Sequence, residues 1–374
     1  MLAEKWGAVE QVLLAATARE EELLEVIDGI GVGQVGGVIV EEILARAQPP
    51  VLDRTIRLRL DVTHRDEHVS YALEFKDGEL SASPDRGGDV SARLWCGAPE
   101  LAVGLFGSGG GCGSPLNVQF LWPTGRAILD VIDSLPRAVG TILTASAPAY
   151  ASLDQLALRY GSDKWGSMHW YTPHYESHLA AFRDRAVRML EIGIGGYRDP
   201  RAGGASLRMW QRYFRRGLVY GLDVFPKHGI TGPRLRTVEG DQSDPEFMSR
   251  LGEELGPFDI VVDDGSHLNA HVRASFDSLF PYVRRGGFYV IEDLQTSYWP
   301  GYGGDDRDLN SESTSLGFLK TLVDGINYSE RGGVPRDIDR QIVAVHFYHS
   351  LAFIEKGNNV EEPCPSWIPR QPAW

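Results

Sequence analysis

Cysteine is scarce in this sequence: Cys96, Cys112 and Cys364 are the whole complement of 374 residues. They lie too far apart for a zinc spacing, and they make no disulfide framework. A reducing, cytoplasmic setting is therefore expected. Long apolar runs are also lacking, and none reaches the roughly 20 residues a membrane-spanning helix needs. The opening residues MLAEKWGAVEQ do not have the layout of a secretory signal, so no membrane association is expected. Basic charge is in deficit, with 37 Lys and Arg against 51 Asp and Glu and a net charge of -14. A nucleic-acid partner is excluded on that ground, because phosphate recognition wants a basic surface.

What is present is ordinary for a soluble globular chain: 43% hydrophobic and 24% charged residues. The length exceeds one usual core, so two domains are expected. Residues 7–27 carry apolar positions at helical spacing, with Glu20, Glu21 and Glu22 on the wet face. From Thr55 the pattern alternates: Ile56, Leu58, Leu60 and Val62 point one way, and Val69, Tyr71, Leu73 and Phe75 repeat it. Asp77-Gly78 supplies a turn, and a third strand is predicted over Val90 to Trp95. GSGGGCGSP, Gly107 to Pro115, lacks the Gly-Lys-Ser/Thr of a phosphate loop and reads as a connection. Helical spacing resumes from Gly125 to about Thr144. Residues 1–146 thus form an α+β auxiliary domain without a catalytic motif, and the small-residue stretch ASAPAYAS, Ala145 to Ser152, is the linker.

The second domain, 152–374, carries short apolar runs alternating with helical patterns, the mark of an α/β sheet buried on both faces. The runs are Val187 to Ile192, Val219 to Asp223, Leu235 to Val238, Phe258 to Asp263 and Gly287 to Ile291. Ile342 to Phe347 and Leu351 to Ile354 are too close for a helical crossover and predict a closing antiparallel hairpin.

In such sheets ligands bind at the carboxyl ends of the strands. The first run ends in Glu191-Ile192-Gly193-Ile194-Gly195-Gly196-Tyr197, whose glycines permit close approach of a ligand to the backbone. A dinucleotide site wants GxGxxG opening directly into a helix; here YRDPRAGGAS intervenes. Glu191 is placed to accept from an amino-acid ammonium, and Asp223, ending YGLD, from ribose hydroxyls. Adenosine plus an amino acid without a diphosphate describes S-adenosylmethionine. Asp241 or Gln242 in EGDQ either caps the adenine end or belongs to the turn that Asp244-Pro245 closes before the next helix.

Two further strands end in acidic pairs, Asp263-Asp264 and Glu292-Asp293, at the same rim. Carboxylates gathered there repel one another unless a cation neutralises them, and oxygen ligands without thiolates suit Mg²⁺. The alternative gives each acid a helix terminus or an arginine. His267 is either a general base or a structural hydrogen-bonder. With His271 it has the spacing of a zinc helix, but HLNAH lacks the glutamate of HExxH.

YGSDKWGSMHWYTPHYESHL, MLEIGIGGY, GGASLRMW, YGLDVF, EGDQSD, GPFDIVVDDGSHLNAHVRASF, GGFYVIEDLQTSYWPGYGG and WIPR together resemble the metal-dependent deoxysugar O-methyltransferases of macrolide and polyketide antibiotic biosynthesis, of the mycinamicin and macrocin type. The likeness runs from about Arg159 to the carboxyl terminus. It implies a Rossmann-like class I methyltransferase α/β sheet with the carboxyl-terminal hairpin, beside the α+β auxiliary domain. It implies Asp264, Glu292 and Asp293 as magnesium ligands and His267 as general base. Ser162, Glu191, Gly193, Gly195, Gly196, Tyr197, Ser206, Asp223, Asp241, Gln242 and Asp264 match its cofactor-contacting segments. It further implies a glycosylated small-molecule substrate and a homotetramer in which the auxiliary domain helps close a neighbour's site. The auxiliary domain here departs from the family in its residues, which leaves the hydroxyl position and the aglycone open. Two rival readings are a nicotinamide-dependent sugar oxidoreductase and a non-catalytic scaffold that binds S-adenosylmethionine. Tyr298, Trp299 and Tyr302 either stack on the substrate or pack a lid.

Overall fold

Strict alternation in the first third of the chain builds a five-stranded sheet. In the computed structural model, which describes residues 6–107, 114–125, 130–147, 151–166, 168–331 and 334–371, the strands are β1 (Ile56–His64), β2 (Glu67–Lys76), β3 (Glu79–Pro84), β4 (Ala92–Gly97) and β5 (Asn117–Phe120), in the order β3-β2-β1-β4-β5. Ile56, Leu58, Leu60 and Val62 turn one face of β1 into the core, while the residues between them stay half-buried. Asp77 and Gly78 both hold positive φ, 54° and 81°, in a two-residue hairpin that pairs Lys76 with Glu79, as an Asp-Gly turn favours.

The helix expected over 7–27 is two helices, Ala8–Ala15 and Glu20–Ile30, because the backbone at Arg19 is extended (ψ 151°). A further helix, Val32–Arg46, was hidden by Gly33, Gly36 and Gly37, which lower helix propensity. Packing explains one of them: a Cβ on Gly36 would lie 2.5 Å from Val69 Cγ1. β3, β5 and the helix Ala98–Phe106 also went unpredicted, being short and weakly patterned. Of the helix expected over 125–144, the α-helix Ser134–Ser146 is seen, and residues 126–129 lie outside the described residues. Most of the glycine-rich connection, residues 108–113, lies outside the described residues.

The second sheet has seven strands: β6 (Arg188–Ile192), β7 (Leu218–Asp223), β8 (Leu235–Glu239), β9 (Phe258–Asp263), β10 (Val283–Ile291), β11 (Ile342–Tyr348) and β12 (Leu351–Lys356). Their order is β11-β12-β10-β9-β6-β7-β8. β6 to β10 pair in parallel, and β12 inserts antiparallel between β10 and β11. The expected hairpin is therefore the sheet's edge. Helices Ala205–Tyr213, Pro245–Leu255 and Asn269–Leu279 carry three crossovers, but residues 224–234, between β7 and β8, cross without a helix. The chain leaves β6 toward β7 and β8 and returns to β9 on the other side. Strand order reverses between β6 and β9, so a crevice opens at their carboxyl ends.

Described residues of the first part of the chain pack on this sheet. Glu42, buried, accepts from Arg46 at 2.7 Å and from Arg234 at 2.9 and 3.0 Å. Burial alone would raise the Glu42 carboxyl, but the two guanidiniums prevail and hold it at about 2. Arg215 donates to the Gly104 and Leu105 carbonyls, and Trp6 Nε1 donates to the Tyr220 hydroxyl at 2.6 Å. Among the described residues no single helix is long and apolar enough to cross a membrane.

Candidate active site

The glycine turn and the acidic strand ends meet because neighbouring parallel strands deliver them to one edge. Gly193 N–H donates to the Leu222 carbonyl at 2.8 Å, and Asp264 N–H to the Ile192 carbonyl at 2.9 Å. Gly193 holds φ 93°, and a Cβ there would sit 2.0 Å from the Asp264 carbonyl oxygen. Only glycine fits, and the turn rests directly on the β9 terminus. Gly195 and Gly196 also hold positive φ. Tyr197 is 85% exposed, and Lys227 donates to the Tyr197, Asp199 and Ala202 carbonyls, fixing the loop that leads to Ala205.

Glu191 is fully buried; its Oε1 stands 3.2 Å from the Lys164 ammonium without hydrogen-bond geometry, and Oε2 has no partner among the described residues. Burial pushes its carboxyl up to about 7, against the opposing pull of Lys164. A buried carboxylate beside a glycine turn, with Oε2 unpartnered among the described residues, fits a ligand that brings an ammonium. Asp223 accepts from the Ile194 N–H at 3.0 Å and the Phe225 N–H at 2.9 Å, which fixes it at the mouth of the turn. Ser206 lies in the first turn of the helix Ala205–Tyr213, and Ser162 is buried, its hydroxyl accepting from Lys164 N–H at 3.4 Å.

Asp241 is exposed and accepts from the Ser243 amide and hydroxyl. Asp244, two residues beyond Gln242, caps the next helix by accepting from Glu246 and Phe247 N–H. Gln242 points inward: its nitrogen donates to Asp263 at 3.1 Å, and its oxygen accepts from Ser266 N–H at 2.7 Å. It thereby braces the loop that carries Asp264 and His267.

The first acidic pair is split. Asp263 is buried, accepting from the hydroxyls of Ser275 and Tyr289 as well as from Gln242. Asp264 turns into the crevice. Asp264, His267 and Asp293 place ligand atoms within 4.8 Å of one another, the one such cluster among the described residues. His267 Nε2 lies 3.6 Å from Asp293 Oδ2, too long for a hydrogen bond, so the imidazole is not tied up. His271 turns to Ser266 instead (Nδ1 to Oγ 3.0 Å), so no two-histidine pair forms. His267 and Asp293 both hold left-handed backbone, φ 57° and 55°. Such conformations cost about 1–3 kcal/mol each and gather at functional sites.

Glu292, expected as a third metal ligand, is not among the residues of that cluster and is linked to Asp264 through Lys164. It is buried, and its Oε1 accepts from Lys164 Nζ at 2.7 Å and from the Tyr175 hydroxyl at 2.5 Å. Burial pushes its carboxyl well above the usual range, and the Asp264 charge adds to that. Lys164 Nζ also reaches Asp264 Oδ2 at 2.8 Å and Glu191 Oε1 at 3.2 Å. Burial works against its charge, but the three carboxylates outweigh burial and hold it well above the usual lysine value. Tyr171 donates to Asp293 Oδ1 at 2.9 Å, and His169 Nε2 stands 3.5 Å from the same oxygen.

Lys164, His169, Tyr171 and Tyr175 were not singled out from the sequence. Their only signal was membership of the segment YGSDKWGSMHWYTPHY. That segment folds back on itself through a Trp165–Trp170 bridge, leaving Met168 68% and Trp170 60% exposed beside the acids. Trp299 and Tyr302 pack at 5.7 Å, and Asn269 Nδ2 ties their loop down through the Thr296 and Tyr302 carbonyls.

Known proteins similar to this chain fall in one family. The family model for the MycE methyltransferase amino-terminal domain matches residues 9–114. Demethylmacrocin O-methyltransferase of Streptomyces fradiae is 44% identical, over 97% of this chain and 94% of its own. Mycinamicin VI 2''-O-methyltransferase of Micromonospora griseorubida is 40% identical, over 97% of this chain and 94% of its own. The solved structure of the MycE methyltransferase from the mycinamycin biosynthetic pathway, in complex with Mg, SAH and mycinamycin VI, superposes with a TM-score of 0.90 at 38% identity. That likeness covers 99% of this chain and 98% of that one. The chain belongs to the sugar O-methyltransferase family of macrolide biosynthesis that includes these relatives.

Proposed function

We propose that this protein transfers the methyl group of S-adenosylmethionine, with Mg²⁺, to a hydroxyl of a sugar already attached to a macrolide or polyketide. The observation that carries this reading is the contact between the two halves of the site, the Gly193 turn resting on the Asp264 carbonyl. The helix after the turn starts only at Ala205, so no helix terminus stands directly behind it for a diphosphate, against the nicotinamide reading.

The chain's own residues divide the work. Glu191 receives the amino-acid ammonium of the methyl donor. Gly193, Gly195, Gly196 and Tyr197 form its cradle, and Asp223 receives the ribose. Ser162, Ser206, Asp241, Gln242 and Asp264 complete that side, Gln242 by bracing the loop and Asp264 through its backbone carbonyl, on which the Gly193 turn rests. The donor set of Asp264, Glu292 and Asp293, all oxygen and no thiolate, fits a hard divalent cation. Mg²⁺ there supplies Lewis acidity, which orients neighbouring sugar hydroxyls and lowers the pKa of the reacting one. His267, with its imidazole unencumbered, takes the hydroxyl proton as the new C–O bond forms and the C–S bond breaks. The exposed aromatic and thioether side chains of Met168, Trp170, Tyr298 and Trp299 line the rim where an aglycone rests.

The division into 1–146 and 152–374, a cytoplasmic location and a homotetramer closed by the neighbour's auxiliary domain belong to the same reading. The family resemblance supports the tetramer, and light scattering is expected to return four times the chain mass; a monomer would remove the role of a neighbour. The function itself is tested by mass spectrometry of glycosylated macrolides incubated with S-adenosylmethionine. A product one methylene heavier is expected with Mg²⁺ and none after EDTA treatment. Full-rate turnover in EDTA would remove the cation from the reaction.

A further inference from the structure

We infer that Lys164 is the positioning residue of the cation site: its buried ammonium selects which oxygens of Asp264 and Glu292 are left to bind the metal, and it ties them to the donor-side acid Glu191. This rests on the reading that Asp264, Glu292 and Asp293 hold the cation.

An ammonium has three N–H donors and no acceptor. At Lys164 two of them donate to carboxylates that follow neighbouring strands, Asp264 after β9 at 2.8 Å and Glu292 after β10 at 2.7 Å, and the ammonium stands 3.2 Å from Glu191 of β6. The side chain is completely buried. A buried charge is tolerated only when paired this fully, and removing one partner leaves the others uncompensated.

The lysine is also held from behind. Its carbonyl accepts from Tyr171 N–H at 3.0 Å and Thr172 N–H at 3.3 Å, closing the loop that the Trp165–Trp170 bridge shapes. Tyr175 adds a second donor to the same Glu292 oxygen that Lys164 binds. Asp264 Oδ2 and Glu292 Oε1 are therefore committed to the chain's own donors. Asp264 Oδ1 and Glu292 Oε2 are not engaged by Lys164 or Tyr175 and are the oxygens left for a ligand. Without the ammonium, Glu191, Asp264 and Glu292 would face one another as like charges and separate.

The test is a manganese titration of the full-length chain followed by electron paramagnetic resonance, comparing wild type, Lys164→Met and Lys164→Arg. Groups that orient metal ligands typically contribute about 10–100-fold in affinity, and Lys164→Met is expected to weaken Mn²⁺ by that factor. Lys164→Arg keeps the charge but splays its donors in a planar fork, so partial recovery is expected together with an altered spectrum of the bound ion. A purely structural role would lower the melting temperature and leave the bound-Mn²⁺ spectrum as in wild type, which would overturn the inference. Equal or tighter binding by Lys164→Met would overturn it too, by showing the ammonium as a competitor for the cation's place. If Lys164→Met does not fold, Lys164→Arg decides alone, and wild-type affinity with a wild-type spectrum counts against the lysine. A wild-type chain that binds no Mn²⁺ removes the metal-site reading itself, and the inference with it.

Discussion

Asp264→Ala is expected to abolish methyl transfer and metal binding together while leaving the methyl donor's site in place. Asp264 joins the acidic cluster to the glycine turn. Its side chain belongs to the cluster with His267 and Asp293 and accepts from Lys164. Its backbone carbonyl is the surface on which Gly193 rests. Alanine removes the side chain and keeps the carbonyl. The Gly193 turn therefore stays seated, and S-adenosylhomocysteine should still bind in a calorimeter. The loss of a cation's Lewis acidity is worth several kcal/mol, or about a thousandfold in rate. Single-turnover transfer close to the wild-type rate would show that Asp264 is no metal ligand. Loss of S-adenosylhomocysteine binding as well would place the side chain in the donor site rather than beside it.

His267 is expected to show the complementary pattern, with turnover lost and both ligands retained. General bases contribute about 10²–10⁴-fold, and kcat should fall within that range. The choice of substitution matters, because His267 holds φ 57°. Alanine would be strained there, whereas asparagine accepts left-handed backbone readily. His267→Asn therefore separates the missing imidazole from a displaced loop. Mn²⁺ binding and S-adenosylhomocysteine binding should match wild type in this variant. Unchanged kcat would assign the proton to another group, and His169, 3.5 Å from Asp293, would be the next to test.

The parts of this protein legible in the sequence were those governed by short periods. Alternation from Ile56 to Val62 reported β1 because one face of that strand is buried and the other is not. The apolar runs of β6, β7, β9 and β10 were visible because strands covered on both faces need no polar residues between their ends. The hairpin of β11 and β12 followed from a connection too short for a helix. The helix Val32–Arg46 escaped because three glycines mask its period, and Gly36 is explained only by Val69, a residue of another element.

By itself the sequence determined that a glycine turn and two acidic pairs stand at the ends of parallel strands. A parallel sheet brings all its carboxyl ends to one rim, so those residues share a site whatever else the fold does. Only the tertiary structure decided that in the first pair Asp264 acts there and Asp263 does not. Neighbouring residues at a strand end point to opposite sides of the sheet, and only the packing of Ser275, Tyr289 and Gln242 shows that Asp263 is the inward one. The same holds for Lys164. It lies 100 residues from Asp264 and 128 from Glu292 in the chain. No local pattern encodes that meeting, because a buried ammonium is stable only where the fold surrounds it with carboxylates from three different strands.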